Sequence, residues 1–180
     1  MGLLDQATFA SWHDFYLTMG TASASLIGLL FVALSLNLDA ITETSNDDLR
    51  ALAEQSFNSF SLVLLMAVVF LIPSGNPASY GVAYLVLGVG AGYRMLRRAP
   101  VVWRSRRRDR LGEGVFWRFV LPGFAILILV VSGFGLIFGQ PSALYWLVSV
   151  IIGLLMSAAR SSWDLLVKVG EGRRTPKDVG

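Results

Sequence analysis

The 180-residue chain has no cysteine and a single histidine, His13. It therefore has no disulfide, no thiolate metal site and no thiol nucleophile. Charge is also scarce, because Asp, Glu, Lys and Arg make up 15% of the chain, against about 25% in globular proteins. No charged residue or histidine lies in the middle of a long apolar run. This argues against an ion-coupled transporter, since such proteins carry ionisable relay residues there.

Apolar sequence is what the chain has in excess. Hydrophobic residues make up 54% of it, and its mean hydropathy is +0.62. Five apolar segments come close to the ~20 residues that a helix needs to cross a bilayer. The sequence predicts an all-α polytopic membrane protein, a single transmembrane domain with five spans near residues 15–38, 57–72, 78–96, 119–138 and 142–159.

Helix starts are marked at three places. Ser45 followed by Asp48 resembles a capping box and predicts a helix starting near Asn46. Pro77 and Pro141 each follow a short turn and suit the first position of a helix. The turns PSGNP and GQPS are short, so we expect the helices they join to be antiparallel neighbours.

The arginines predict which way the chain crosses the membrane. The segment 94–114 holds eight arginines against two acidic residues, and the tail 160–180 is also basic. Cytoplasmic flanks collect Lys and Arg, and acidic residues count little in this rule. We therefore expect an outside amino terminus, an inside carboxyl terminus, a cytoplasmic arginine-rich loop 94–114, a cytoplasmic acidic hairpin 39–56 and a cytoplasmic tail 160–180.

The arginine-rich loop has two candidate partners. Anionic lipid headgroups attract basic residues beside a membrane, and the acidic hairpin 39–56 lies on the same predicted side. The alternative is that the arginine-rich loop and the acidic hairpin are both solvated and do not bind each other. We expect no nucleic acid, and a protein partner at the cytoplasmic face stays open. The residues proposed for this role are Arg97, Arg98, Arg104, Arg106, Arg107, Arg108 and Arg110.

The first apolar segment is unlike the others because it is rich in small and hydroxyl residues. A polar stripe recurs along it at alternating spacings of three and four residues, which places it on one side of a helix. One interpretation is internal helix packing. The other is a pore lined by this stripe in an oligomer, with Asp39 at a cation-attracting cytoplasmic mouth. The stripe consists of Thr18, Thr21, Ser25, Gly28, Val32, Ser35 and Asp39.

Small residues at four-residue spacing also predict close helix packing. They occur in the first, third and fifth segments, so we expect those three helices to dock through them, with the second and fourth facing lipid. The candidate packing residues are Gly20, Ala24, Gly88, Gly92, Ser149, Gly153 and Ser157.

The stretch WHDFYLTMGTASASLIGLLFVALSLNLDAI resembles a motif of uncharacterised small bacterial multi-span membrane proteins. Some of these are similar to proteins labelled modulator of FtsH protease. The resemblance covers about one helix and its ends. It implies a bacterial inner (cytoplasmic) membrane protein and transfers no catalytic or binding residue.

The chain carries no catalytic signature such as HExxH, GxSxG or a P-loop. We therefore expect a protein that is not an enzyme and has no metal or cofactor. The function predicted is an oligomeric, channel-like pore lined by the first helix. The alternatives are a non-conducting adaptor or regulator of a larger membrane complex, and a small-solute transporter.

Overall fold

The structure is a computed structural model. It describes residues 6–37, 47–72, 77–106, 112–140 and 142–174, with side chains over 12–37, 49–72, 78–97, 120–140 and 142–167. These residues form five helices and no strand, which confirms the all-α prediction. In chain order the helices are α1 (Gln6–Leu36), α2 (Asp47–Leu71), α3 (Pro77–Arg106), α4 (Gly112–Ile137) and α5 (Ser142–Arg174).

The helix starts follow the local sequence signals. α2 begins at Asp47, within the predicted capping segment, and α3 begins at Pro77. Pro141 lies outside the described residues, and α5 begins immediately after it. α4 closes with a glycine cap, in which the amides of Gly139 and Gln140 donate to the carbonyls of Leu136 (3.0 Å) and Gly135 (2.9 Å). Gly139 has φ +72°, a conformation that favours glycine.

All five helices extend past the predicted span boundaries, most of all at the carboxyl ends of α3 and α5. α3 continues to Arg106, so the first half of the predicted loop 94–114 is helical, and α5 continues to Arg174, well into the predicted tail. The physical reason is that arginine and lysine are good helix formers, and their charged groups need water but not an irregular backbone. Hydropathy marks where the apolar segment stops, which is not where the helix stops.

The helices pack in a closed group of four with one helix outside it. α2 packs against α5, α5 against α4 and α4 against α3, and a smaller contact between α2 and α3 completes the group. α1 packs mainly against α2. The shared core is apolar and includes fully buried side chains from all five helices, among them Tyr16, Met66, Tyr84, Leu129 and Leu147.

The expected docking of the first, third and fifth helices is wrong. The small residues of α3 contact α4, and α2 and α4, expected to face lipid, supply much of the core. At the closest point an added Cβ on Gly81 would lie 2.7 Å from the carbonyl oxygen of Gly133. The reason is that α4 brings its own glycine to that point, so the two backbones meet directly.

Four helices are long and apolar enough to cross a membrane when the described residues are considered. α3 is not among them, because its glycines and tyrosines lower its hydropathy. The structure therefore supports a membrane protein. The four helical stretches are Trp12–Leu36, Leu49–Leu71, Val120–Ile137 and Ser142–Val167.

The two ends of the bundle differ in chemistry. At one end, here called the aromatic end, rings of α1, α2, α3 and α5 meet: Tyr16 stacks on Phe70 at 3.9 Å, and Trp12 contacts Tyr145 edge to face at 5.1 Å. The opposite end, here called the arginine end, carries the described arginines Arg50, Arg94, Arg97 and Arg160. The start of α1 lies at the aromatic end, and the last part of α5 lies at the arginine end, where Leu165 joins a cluster with Leu30.

Candidate functional site

The polar stripe of α1 lies on the outside of the protomer. All six of its described residues are exposed: Thr18, Thr21, Ser25, Gly28, Val32 and Ser35. A seven-residue repeat drifts by only about 20° per repeat on an α-helix, so these positions stay on one face for the length of the span. We call these six residues the α1 stripe. The protomer therefore does not use this face for its own packing.

The hydroxyls of the α1 stripe are hydrogen-bonded within their own helix. Thr18 donates to the Asp14 carbonyl at 2.7 Å, Thr21 to the Leu17 carbonyl at 2.9 Å, and Ser25 to the Thr21 carbonyl at 3.0 Å. Ser35 donates to the Val32 carbonyl at 2.9 Å. This back-bonding satisfies each hydroxyl donor inside an apolar span. It leaves the oxygen lone pairs on the outer surface, where they can accept from water or coordinate a cation.

The middle of the α1 stripe is open. A Cβ added at Gly28 would meet nothing within 4 Å, and Ala24 beside it is exposed as well. Of the four candidate spans, the one in α1 has the smallest buried share, 17% against 28–44% for the others. Asp39, the proposed acidic end of the stripe, lies outside the described residues.

The small residues Gly20, Ala24 and Gly28 recur at four-residue spacing in α1, but they divide between two faces. Gly20 is buried, and an added Cβ there would lie 3.0 Å from the Cβ of Ala67 on α2. Eight residues rotate the helix by about 80° beyond whole turns, so Gly28 points away from the face that Gly20 uses. Gly20 therefore marks the contact of α1 with α2, and Gly28 belongs to the outer face.

The inner face of α1 holds it to the rest of the molecule. Tyr16, Gly20, Ser23 and Leu30 are buried along it, and Leu30 joins a cluster with Leu52 of α2. Further along, Phe31 meets Phe57 of α2 edge to face at 5.7 Å. These contacts fix the rotation of α1, and so they fix the stripe on the outside.

The remaining packing candidates lie in different settings. Gly88 and Gly92 face α4, where added Cβ atoms would lie 2.8 Å from Val130 and 3.6 Å from Ile126. On α5, Ser157 is buried, but Ser149 is exposed and an added Cβ at Gly153 meets nothing within 4 Å.

A serine seam between α2 and α5 was not predicted from the sequence. Ser162 of α5 donates to the hydroxyl of Ser56 on α2 at 3.2 Å, and Ser56 donates to the Ala158 carbonyl at 3.3 Å. Ser59, Ser157 and Ser161 are buried as well. The signal available was the recurrence of serines in two otherwise apolar helices, at spacings that place them on one face.

Two fully buried tyrosines were also missed. Tyr84 of α3 donates its hydroxyl to the Met66 carbonyl of α2 at 3.1 Å, and Tyr16 of α1 stacks on Phe70. Both side chains have no exposed surface. Aromatic residues near a span boundary are expected at the lipid interface, so nothing in the sequence distinguishes the buried ring of Tyr16 from an interfacial one.

The described charges lie at the two ends of the bundle. At the arginine end Arg50 pairs with Glu54 at 3.4 Å within α2, while Arg97 lies over the ring of Tyr93 at 5.3 Å. At the other end His13 lies 3.2 Å from Asp14, both exposed. Of the predicted basic group, Arg98, Arg104 and Arg106 belong to α3 with undescribed side chains, and Arg107, Arg108 and Arg110 lie outside the described residues.

No three metal-ligating side chains come together in the described part of the chain. Comparison with known proteins finds no matching family model, no matching curated protein and no matching solved structure.

Proposed function

We propose that the protein is a five-span membrane protein whose copies assemble through α1 into a channel-like pore. The observation that carries this proposal is the α1 stripe, a line of small and hydroxyl residues exposed along a candidate span and unused by the protomer. Exposed polar residues in a span normally face a bundle interior or a water-filled cavity. A ring of copies of this protein would provide a water-filled interior without a second type of subunit.

The five-span arrangement is supported by the position of α3. An added Cβ on Gly81 would reach Ile137, and Met95 lies beside Gly123, so α3 runs antiparallel to α4 over about 21 Å. α4 is itself a candidate span. α3 therefore covers most of the depth of its neighbour, and the glycines that allow this contact contribute to its low hydropathy.

The placement of the two ends agrees with five crossings. The start of α1 and the last part of α5 lie at opposite ends of the bundle, and the described arginines gather at one of them. On α5, Tyr145 and Trp163 are exposed on the same face, about 27 Å apart along the helix. This spacing is close to the ~30 Å hydrocarbon thickness between two aromatic belts. We place the arginine end in the cytoplasm and Asp39 at the pore mouth there.

The first experiment separates assembly from folding. Gly28→Leu puts a bulky side chain into the α1 stripe at a point where the protomer has open space. We expect it to reduce the oligomer fraction, measured by mass photometry in lipid nanodiscs, and to leave the protomer's thermal unfolding unchanged. Gly153→Leu is the matched control, because Gly153 is also open but lies on α5. Equal oligomer fractions for the two variants and the wild type would remove α1 from the interface.

The second experiment tests the pore itself. Because the chain has no native cysteine, a thiol reagent reacts only at the cysteine that is introduced. A Ser25→Cys variant is reconstituted in planar bilayers and treated with a charged thiol reagent. We expect the current to fall after modification, because Ser25 would line the lumen. Leu127→Cys, exposed on α4, is the control and keeps its current. A protein that assembles but carries no current would refute the pore and favour the adaptor.

A further inference from the structure

The outer face of α3 combines an apolar row with a cationic end. Val82, Val86, Val89 and Tyr93 are each more than half exposed, and they recur at alternating spacings of four and three residues. Arg97 lies one turn beyond Tyr93 on the same face, with its guanidinium carbon 5.3 Å from the ring centroid. The row from Val82 to Tyr93 is about 16 Å long, which is close to one leaflet, or half of the ~30 Å hydrocarbon core.

The two exposed arginines at this end of α3, Arg94 and Arg97, have no acidic partner in the described part of the chain. Arg50 on α2 is paired with Glu54, whereas Arg94 and Arg97 are exposed and form no ion pair with a described residue. The ring of Tyr93 holds the Arg97 guanidinium near one position. An exposed guanidinium of this kind is suited to bidentate binding of a phosphate group.

We infer that this face of α3 is a binding site for one anionic phospholipid of the leaflet at the arginine end. The acyl chain lies along Val82, Val86 and Val89, Tyr93 lies at the boundary of the headgroup, and Arg94 and Arg97 bind the phosphate. The inference rests on the proposed span of α3 and does not depend on conduction. The ligand is a lipid and not a free anion, because the apolar row continues directly from the cations.

The test measures retained lipid by native mass spectrometry. The wild-type protein is released from nanodiscs that contain equal amounts of phosphatidylglycerol and phosphatidylcholine. We expect bound phosphatidylglycerol in excess, and we expect the double variant Arg94→Gln, Arg97→Gln to bind it about 30-fold more weakly. Each basic side chain near an anionic surface contributes about 1 kcal/mol, and about 1.4 kcal/mol is a factor of ten. Arg50→Gln, at the same end but on α2, is the matched control and should bind as the wild type does.

Two further arms separate the possible outcomes. Replacing both arginines by lysine keeps the charge but loses the planar guanidinium donors, so it should restore only part of the binding. Val86→Asn, which interrupts the apolar row, should weaken it. Equal binding of the two lipids by the wild type would overturn the site, as would unchanged binding by the double glutamine variant. Displacement of the lipid by millimolar inorganic phosphate would show a simple anion site and would also overturn the proposal. A non-conducting protein that still retains phosphatidylglycerol would refute the pore and leave this site intact.

Discussion

Gly81 of α3 has the least space of the described glycines, at the point where α3 meets Gly133 of α4. An added Cβ on Gly81 would lie 2.7 Å from the Gly133 carbonyl oxygen and 2.9 Å from the Ile137 amide nitrogen, both backbone atoms. Because backbone cannot rotate away as a side chain does, the two helices would have to separate. Close approach of this kind is what small residues provide between membrane helices.

We therefore expect Gly81→Ala to lower the free energy of unfolding by about 1–3 kcal/mol, the usual range for overpacking. Gly90→Ala, on the same helix, meets nothing within 4 Å and gains helix propensity, so it should be neutral or slightly stabilising. Unfolding in mixed micelles of dodecyl maltoside and dodecyl sulfate, followed by circular dichroism, provides the comparison. Two variants of equal stability would contradict the close contact.

Sequence spacing predicts which face of a helix a residue lies on more reliably than it predicts which helix packs against that face. The three-and-four spacing places the α1 stripe on one side, and the structure has it there. The four-residue spacing of Gly20, Ala24 and Gly28 predicts one face as well, but rotation along the helix separates Gly20 from Gly28. Each step of four residues rotates the position around the helix axis, so after two steps the residue no longer faces the same neighbouring helix.

At the level of helices, polar contacts as well as apolar packing hold α2 against α5. Ser56 accepts from Ser162 and donates to the Ala158 carbonyl, and both helices are candidate spans. Hydrogen bonds between helices in a membrane contribute about 0.6 kcal/mol on average and about 1.7 at most. The serine seam is thus a modest addition to a large apolar contact.

Ser56→Ala should lower the free energy of unfolding by about 0.6–1.7 kcal/mol, because the Ser162 hydroxyl loses its acceptor and the Ala158 carbonyl loses its donor. Ser149→Ala makes the same chemical change on the exposed surface of α5 and should have little effect. The two are compared by the same micellar unfolding. A loss as large for Ser149→Ala as for Ser56→Ala would show that serine content, and not the seam, sets the stability.

The helices themselves were largely predictable, and so were the neighbours joined by short turns, because α2 contacts α3 and α4 contacts α5. The other helix contacts were not predictable. Hydropathy and the signals near Asn46 and Pro77 predict five helices, and five are described. Helix length was underestimated because Arg97–Arg106 is charged but still helical. The pairing of α3 with α4 depends on Gly81 meeting Gly133, a relation between distant positions that one sequence does not reveal.

For the whole molecule, five crossings predict that the two chain ends lie in different compartments. The cysteine-free chain allows single reporters, Asp14→Cys at the start of the first span and Asp164→Cys near the end of the last. We expect a membrane-impermeant maleimide added to intact cells to label Asp14→Cys and to leave Asp164→Cys unlabelled until the cells are opened. If α3 did not cross, both reporters would lie on the same side.

A third reporter, Gln140→Cys in the turn between α4 and α5, decides which helix is responsible. With five crossings it is labelled together with Asp14→Cys, because α1 and α5 begin at the same end of the bundle. Labelling of Gln140→Cys only in opened cells would contradict a spanning α3. That result would also remove the lipid site proposed on its outer face.

The contrast between α1 and the α3–α4 pair has a mechanical consequence. α3 parts from α4 only by undoing backbone contacts at several glycines, whereas α1 is seated mainly on one neighbour. We therefore expect the α3–α4 pair to be stiff and α1, at the edge of the bundle, to be more easily displaced. We expect lateral strain in the surrounding lipid to displace α1, with the α1 stripe, before it separates α3 from α4.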